Sequence, residues 1–140
     1  MTERWVVDTN VVVAGLLAAD SASPPAIILD AMLDGSLPFL LSVELLAEYR
    51  TVLLRERIRA RHGLSEVEVD ALLTALATHA VVVEIAARDE KAPDRGDEHL
   101  WRMLAETPDA GLVTGDALLL RRAPRGRLVI APRDWVERRS

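Results

Sequence analysis

Asp8 and Asp116 each follow a short apolar run, Trp5-Val6-Val7 and Leu112-Val113-Thr114-Gly115, and Asp97 precedes a segment in which Leu100, Met103 and Leu104 recur at helical spacing. A carboxylate at the end of a buried strand is costly to desolvate unless it is paired, hydrogen-bonded or bound to a cation. Each of the three, taken singly, also suits capping of the helix that follows it. Three carboxylates brought together would repel one another unless a cation held them, and hard oxygen ligands select Mg²⁺ or Mn²⁺. One or two such ions activate water for in-line attack on phosphorus and stabilise the departing oxygen, with no need of a lysine or histidine nucleophile.

Other residues could assist or compete. Glu44 and Glu48 lie four apart on one predicted helix, and Glu48, between Leu45 and Val52, flanks the apolar face, which favours it over Glu44 for a place at the sheet edge. Asn10 and Thr114 are placed to hydrogen-bond the carboxylates, although Thr114 also suits a strand end. Asp94, three residues before Asp97, is open to either an indirect metal role or a turn. The only lysine is Lys91, so a P-loop is excluded, and no Gly-x-Ser-x-Gly segment exists. His62, His79 and His99 have no close His-x-His pairing and read as surface or core residues, and Trp5, Trp101 and Trp135 read as packing. With no cysteine, a disulfide framework and a thiolate metal site are both excluded.

The elements that must position these acids alternate. Strands are expected at Arg4–Val7, Pro38–Leu41, Val81–Val83, Asp109–Thr114 and Leu128–Ile130. Helices are expected at Val11–Ala19 and Pro24–Asp34, after Ser42 with Leu45, Tyr49 and Val52 inward, from the capping box Ser65-x-x-Glu68 to about His79, and after Asp97, with a terminal turn near Asp134-Trp135-Val136. Residues 86–96 read as the most polar loop. Alternation of this kind predicts an α/β fold, a Rossmann-like three-layer sandwich with a mostly parallel central sheet and its ligands beyond the carboxyl ends of the strands.

At 140 residues, half of them hydrophobic, the chain is expected to form one domain over residues 1–140. The net charge of −5 argues against a uniformly basic nucleic-acid surface. Its distribution is uneven, however: five arginines (50, 55, 57, 59 and 61) stand against Glu56 alone, and seven lie between Arg121 and Arg139. These segments suit either solvated faces or phosphate contacts, since a guanidinium matches phosphate geometry. The charge-free stretches Thr9–Ala19 and Ala71–Val83 fall short of the roughly 20 apolar residues a membrane helix needs. With no export signal read at the start, the expectation is a cytoplasmic protein with no membrane association.

In order, Val6-Val7-Asp8-Thr9-Asn10, Leu41-Ser42 with Glu48-Tyr49, Asp94-x-x-Asp97 before a helix, Leu112-Val113-Thr114-Gly115-Asp116 and Ala131-Pro132-Arg133-Asp134-Trp135-Val136 resemble the PIN-domain family, most closely its toxin-like branch similar to VapC. No single motif is specific, but their order and spacing cover nearly the whole chain. The resemblance implies a metal-dependent ribonuclease using Mg²⁺ or Mn²⁺. Asp8, Glu48, Asp97 and Asp116 match the acidic quartet, and Asn10, Asp94 and Thr114 match supporting positions. It further implies a toxin governed by an antitoxin, and a homodimer. Two other classes compete. A haloacid-dehalogenase-type phosphatase would use Asp8 as nucleophile but needs an acid where Asn10 stands and a downstream lysine. A non-catalytic RNA-binding or interaction module would use the acids only as caps.

Overall fold

The computed structural model describes residues 4–84 and 97–139. Its sheet has five strands, β1 (Arg4–Val7), β2 (Phe39–Leu41), β3 (Val81–Val82), β4 (Ala110–Val113) and β5 (Val129–Ile130), all parallel in the order β3-β2-β1-β4-β5. Every residue of β2 and β4, and all of β1 beyond Arg4, is buried. Successive side chains point to opposite faces, so both faces of these strands are covered, which is why their sequences are apolar runs without alternation. Helices cover the sheet in a PIN-like three-layer α/β arrangement. The chain builds outward from β1 through β2 to β3, then returns to β4 on the other side of β1. The order therefore reverses between β1 and β4, where an open parallel sheet leaves a crevice at its carboxyl edge.

Two glycines allow the close packing around β1. In the register Trp5↔Gly111, a Cβ on Gly111 would lie 2.6 Å from Cζ3 of Trp5, so only glycine admits that indole beside β4. In helix α1 (Thr9–Leu17), a Cβ on Gly15 would lie 2.6 Å from the carbonyl oxygen of Pro25, where α2 (Pro24–Asp34) crosses closely. α2 begins with proline at its first positions and ends at Gly35 in the left-handed region, the usual asymmetry of helix ends.

Ser42 caps α3 (Val43–Leu53) by accepting from the Leu45 amide, and the capping box of Ser65 and Glu68 opens α5 (Glu66–His79). Between them lies α4 (Glu56–His62), which the sequence reading did not anticipate. Its one sizeable apolar residue, Ile58, is only half-buried, so no apolar stripe marks it. His62 secures it: Nε2 lies 2.9 Å from the Leu53 carbonyl oxygen and Nδ1 accepts from the Leu64 amide. The remaining helices are α6 (Glu98–Glu106), α7 (Ala117–Arg121) and α8 (Pro132–Arg139); α8 is longer than the turn expected near Trp135. All three tryptophans are buried in the core, and the Arg139 guanidinium lies 5.1 Å from the Trp135 ring centroid. No helix among the described residues is long and apolar enough to cross a membrane.

Candidate active site

β1 ends at Val7, and the Asp8 amide donates to the Val113 carbonyl at 2.9 Å, which fixes Asp8 at the crevice between β1 and β4. Its Oδ1 accepts from the Thr9 amide at 2.8 Å, the helix-start role that its position suggested. Its Oδ2 accepts from the Thr114 hydroxyl at 2.7 Å and from Asn10 Nδ2 at 3.1 Å. The side chain is almost wholly buried. Burial raises its pKa above the usual carboxylate value. The Thr114 hydroxyl and Thr9 amide oppose that rise, and the charges of Glu48 and Asp116 reinforce it.

Thr114 follows β4 directly and is fully buried. Its oxygen also accepts from the Asp116 amide at 3.0 Å, and Asn10 Oδ1 accepts from the Gly115 amide at 2.8 Å. The ends of β1 and β4 are thus tied through side chains. Asp116 accepts from the Leu118 amide as the cap of α7, yet it also lines the cleft that holds Asp8.

Glu48 reaches the cleft from α3, and Oε2 lies 2.8 Å from Nε2 of His99. Glu44, by contrast, is exposed and pairs with Arg102 at 3.0 Å. Asp97 had two roles open to it, and although it immediately precedes α6 it makes no side-chain capping bond to that helix. One oxygen each of Asp8, Glu48 and Asp97 lie instead within 4.8 Å of one another. Asp94 lies outside the described residues.

The cleft has a volume of about 480 Å³, and Asp8, Asn10, Glu48, Asp97 and Asp116 share its wall with Arg55 and Arg61. A larger concavity of about 740 Å³, beside Gly63, is lined by Glu56, Arg59 and Glu68 among others but holds no cluster of ligating groups among the described residues. The ligating groups brought together among the described residues therefore lie at the switch point. The donor set fits a hard divalent cation, because all three converging groups are carboxylates and their oxygens are close enough to share one ion. Asp116 stands outside that trio but in the same cleft.

His99 is the residue the sequence reading passed over. It is 3% exposed and faces inward from α6 with Leu100 and Met103. Burial pulls its pKa down, but the hydrogen bond and charge of Glu48, with the charges of Glu44 and Asp8, outweigh that and leave it above the ordinary histidine value. The available signal was its spacing of four from Met103, which puts an imidazole on the buried face of an otherwise apolar stripe.

No curated protein matches the chain significantly. A family model does: the PIN domain matches residues 4–118, a span that runs from β1 into α7 and includes Asp8, Glu48, Asp97 and Asp116. An all-parallel sheet with its acids gathered at the β1–β4 crevice, matched over most of its length, shows that the chain belongs to the PIN domain family.

Proposed function

We propose that the protein is a metal-dependent endoribonuclease that hydrolyses RNA phosphodiester bonds. Asp8, Glu48 and Asp97 would hold Mg²⁺ or Mn²⁺, and Asp116 would complete the acidic quartet. A PIN domain suggests a metal-dependent nuclease, and the observation that carries the proposal is the convergence of the Asp8, Glu48 and Asp97 carboxylates at one end of the sheet. The bound ion would supply Lewis-acid activation of water and neutralise charge at the phosphate.

The chain's own residues have separable tasks. Asn10 and Thr114 hold the Asp8 carboxylate in one orientation. Arg55 and Arg61, on the cleft wall, offer guanidinium groups to phosphates flanking the bond to be cut. Val13, Leu17, Val52 and Ile58 give the same cleft an apolar part of its wall.

RNA as substrate, the role of toxin checked by an antitoxin protein and homodimer formation rest on resemblance to the toxin-like branch, and we propose in addition that the protein acts in the cytoplasm. We also propose that residues 1–140 form one nuclease unit. In support, β5 and α8, which lie beyond the matched residues, pair with β4 and pack on α2. The phosphatase reading is weaker, because Asn10 stands where it needs an acid and already bonds Asp8 and Gly115.

Purified protein incubated with total RNA in Mn²⁺, and separately with chelator, tests the proposal once the cut ends are mapped. Metal-dependent cleavage lost on Asp8→Asn, with the fold retained, is the expected result. Binding without cleavage would favour a non-catalytic module, and full activity in Asp8→Asn would sink the assignment.

A further inference from the structure

We propose that His99 is a positioning residue, whose Nε2 proton holds the Glu48 carboxylate in the orientation that completes a divalent-cation site with Asp8 and Asp97. This rests on the nuclease reading above and concerns the same site. Glu48 is one third exposed and carries a long side chain that water would otherwise draw outward, whereas His99 is 3% exposed and held in the core. A metal-ligating carboxylate only accepts hydrogen bonds, so with Glu48 in that role the 2.8 Å contact assigns the proton to Nε2. His99 engages one carboxylate oxygen and leaves the other to a cation.

The start of α6 thus supplies one acid of the trio, Asp97, and, two residues later, the donor that orients the acid facing it. The opposite ring nitrogen strengthens the case. Nδ1 of His99 is buried and has no hydrogen-bond partner among the described residues. An unpartnered buried nitrogen is unfavourable, and a leucine beside Leu100 and Met103 would avoid it. A residue present only for packing has no reason to carry that defect, whereas a residue that must orient Glu48 does. Outer partners of metal ligands act in this way by limiting the ligand's rotamers.

The test is Mn²⁺ affinity, measured from the electron paramagnetic resonance of free Mn²⁺ and by calorimetry at one fixed pH, alongside the melting temperature in chelator. His99→Leu should weaken Mn²⁺ binding by about 10–100-fold without lowering the metal-free melting temperature. His99→Gln, whose amide N–H reaches to the place of Nε2, should restore most of the affinity. In a Glu48→Ala background, His99→Leu should have no further effect. Wild-type affinity in His99→Leu overturns the proposal, as does a folded His99→Gln that binds as weakly as a folded His99→Leu. If His99→Leu does not fold, His99→Gln decides alone: retained affinity supports the proposal and lost affinity in a folded protein overturns it. Failure of the nuclease reading is separately visible: an unsubstituted protein that takes up no Mn²⁺ overturns both, and one that binds Mn²⁺ but cuts no RNA overturns only the nuclease.

Discussion

The hydroxyl of Tyr49 donates a hydrogen bond of 2.5 Å to the carbonyl oxygen of Val7 across 42 positions of sequence. Glu48 is covalently next to the donor and Asp8 next to the acceptor, so one buried bond brings two acids from different elements to one crevice. Burial pushes the phenol well above its ordinary pKa, with the charges of Asp8 and Glu48 adding to the rise, so the hydroxyl keeps its proton and its donor role. Tyr49→Phe should lower stability by about 1–2 kcal/mol, the cost of an unmade buried hydrogen bond, and should weaken Mn²⁺ binding. Urea unfolding and a Mn²⁺ titration read the two effects, and a variant unchanged in both would show that α3 is held by packing alone.

Ion binding to the native state alone should stabilise it. At a free Mn²⁺ concentration of 100 times Kd the gain is about 2.7 kcal/mol, which for a chain of this size is a melting-temperature rise of roughly 5–11 °C. Asp8→Asn should abolish that rise. Asp116→Asn separates capping from cation chemistry, because asparagine caps a helix as well as aspartate does. Its metal-free melting temperature should match the parent, while cleavage falls. Differential scanning calorimetry with and without chelator measures the melting temperatures, and an RNA cleavage assay in Mn²⁺ measures the activity.

The arginines near the cleft are not equivalent. Arg55, at the cap of α4, and Arg61, within it, line the acid cleft, whereas Arg57 of the same helix does not. Replacing Arg55 or Arg61 by alanine should weaken RNA binding and flatten the salt dependence, each lost contact reducing the slope of log K against log salt by about 0.7. Arg57→Ala should leave the slope unchanged. Fluorescence anisotropy with a labelled single strand in Ca²⁺ would show it; equal slopes in all three variants would rule out a specific role for the cleft pair.

Arg127 closes the carboxyl end of α6. Its guanidinium donates to the carbonyls of Leu104, Thr107 (2.6 Å) and Ala110 (2.9 Å). Charged donors on otherwise open helix-end carbonyls are strong partners, so Arg127→Ala should cost about 2–4 kcal/mol. Lysine, with no planar fork, should recover only part of this. Since α6 carries Asp97 and His99 at its other end, Mn²⁺ affinity should fall in parallel, and chemical denaturation beside the titration would detect it.

Acid should weaken two surface ties. The Arg50 guanidinium beside Asp70 and that of Arg4 beside Asp109 hold both carboxyls below the usual range. A carboxyl with a depressed folded pKa contributes stability above its unfolded pKa, about 3.9, and loses it as pH falls through the folded value. Melting temperature against pH should therefore drop more steeply below about pH 4 for the parent than for Asp70→Asn or Asp109→Asn. Parallel curves would mean that neither pair contributes.

Much of this arrangement was legible from residue order. Apolar runs ending in Asp8 and Thr114-Gly115-Asp116 marked the two strands that flank the switch point, and strand burial on both faces explains why they read so clearly. Asp97 was less transparent: a residue before a helix suggests a cap, but its carboxylate joins Asp8 and Glu48 instead, a tertiary preference that local sequence does not encode. α4 escaped because a helix with only Ile58 to pack has no apolar period. The His99–Glu48 pair spans 51 positions, and neither residue type alone announces the other.

The Thr114 hydroxyl has a single proton, and it goes to Asp8 Oδ2. Its lone pairs are left to the Asp116 amide and, at 3.4 Å, to Asn10, whose own oxygen is taken by Gly115. Because the Gly115 and Asp116 amides can only donate, the Asn10 amide and the Thr114 hydroxyl each have one orientation that satisfies the ring, so a change at one position alters the task of the next. Losses at Asn10 and Thr114 should combine to less than their sum, as in a cooperative network. Asn10, Thr114 and Asp8 are therefore one unit for engineering, to be exchanged together or not at all.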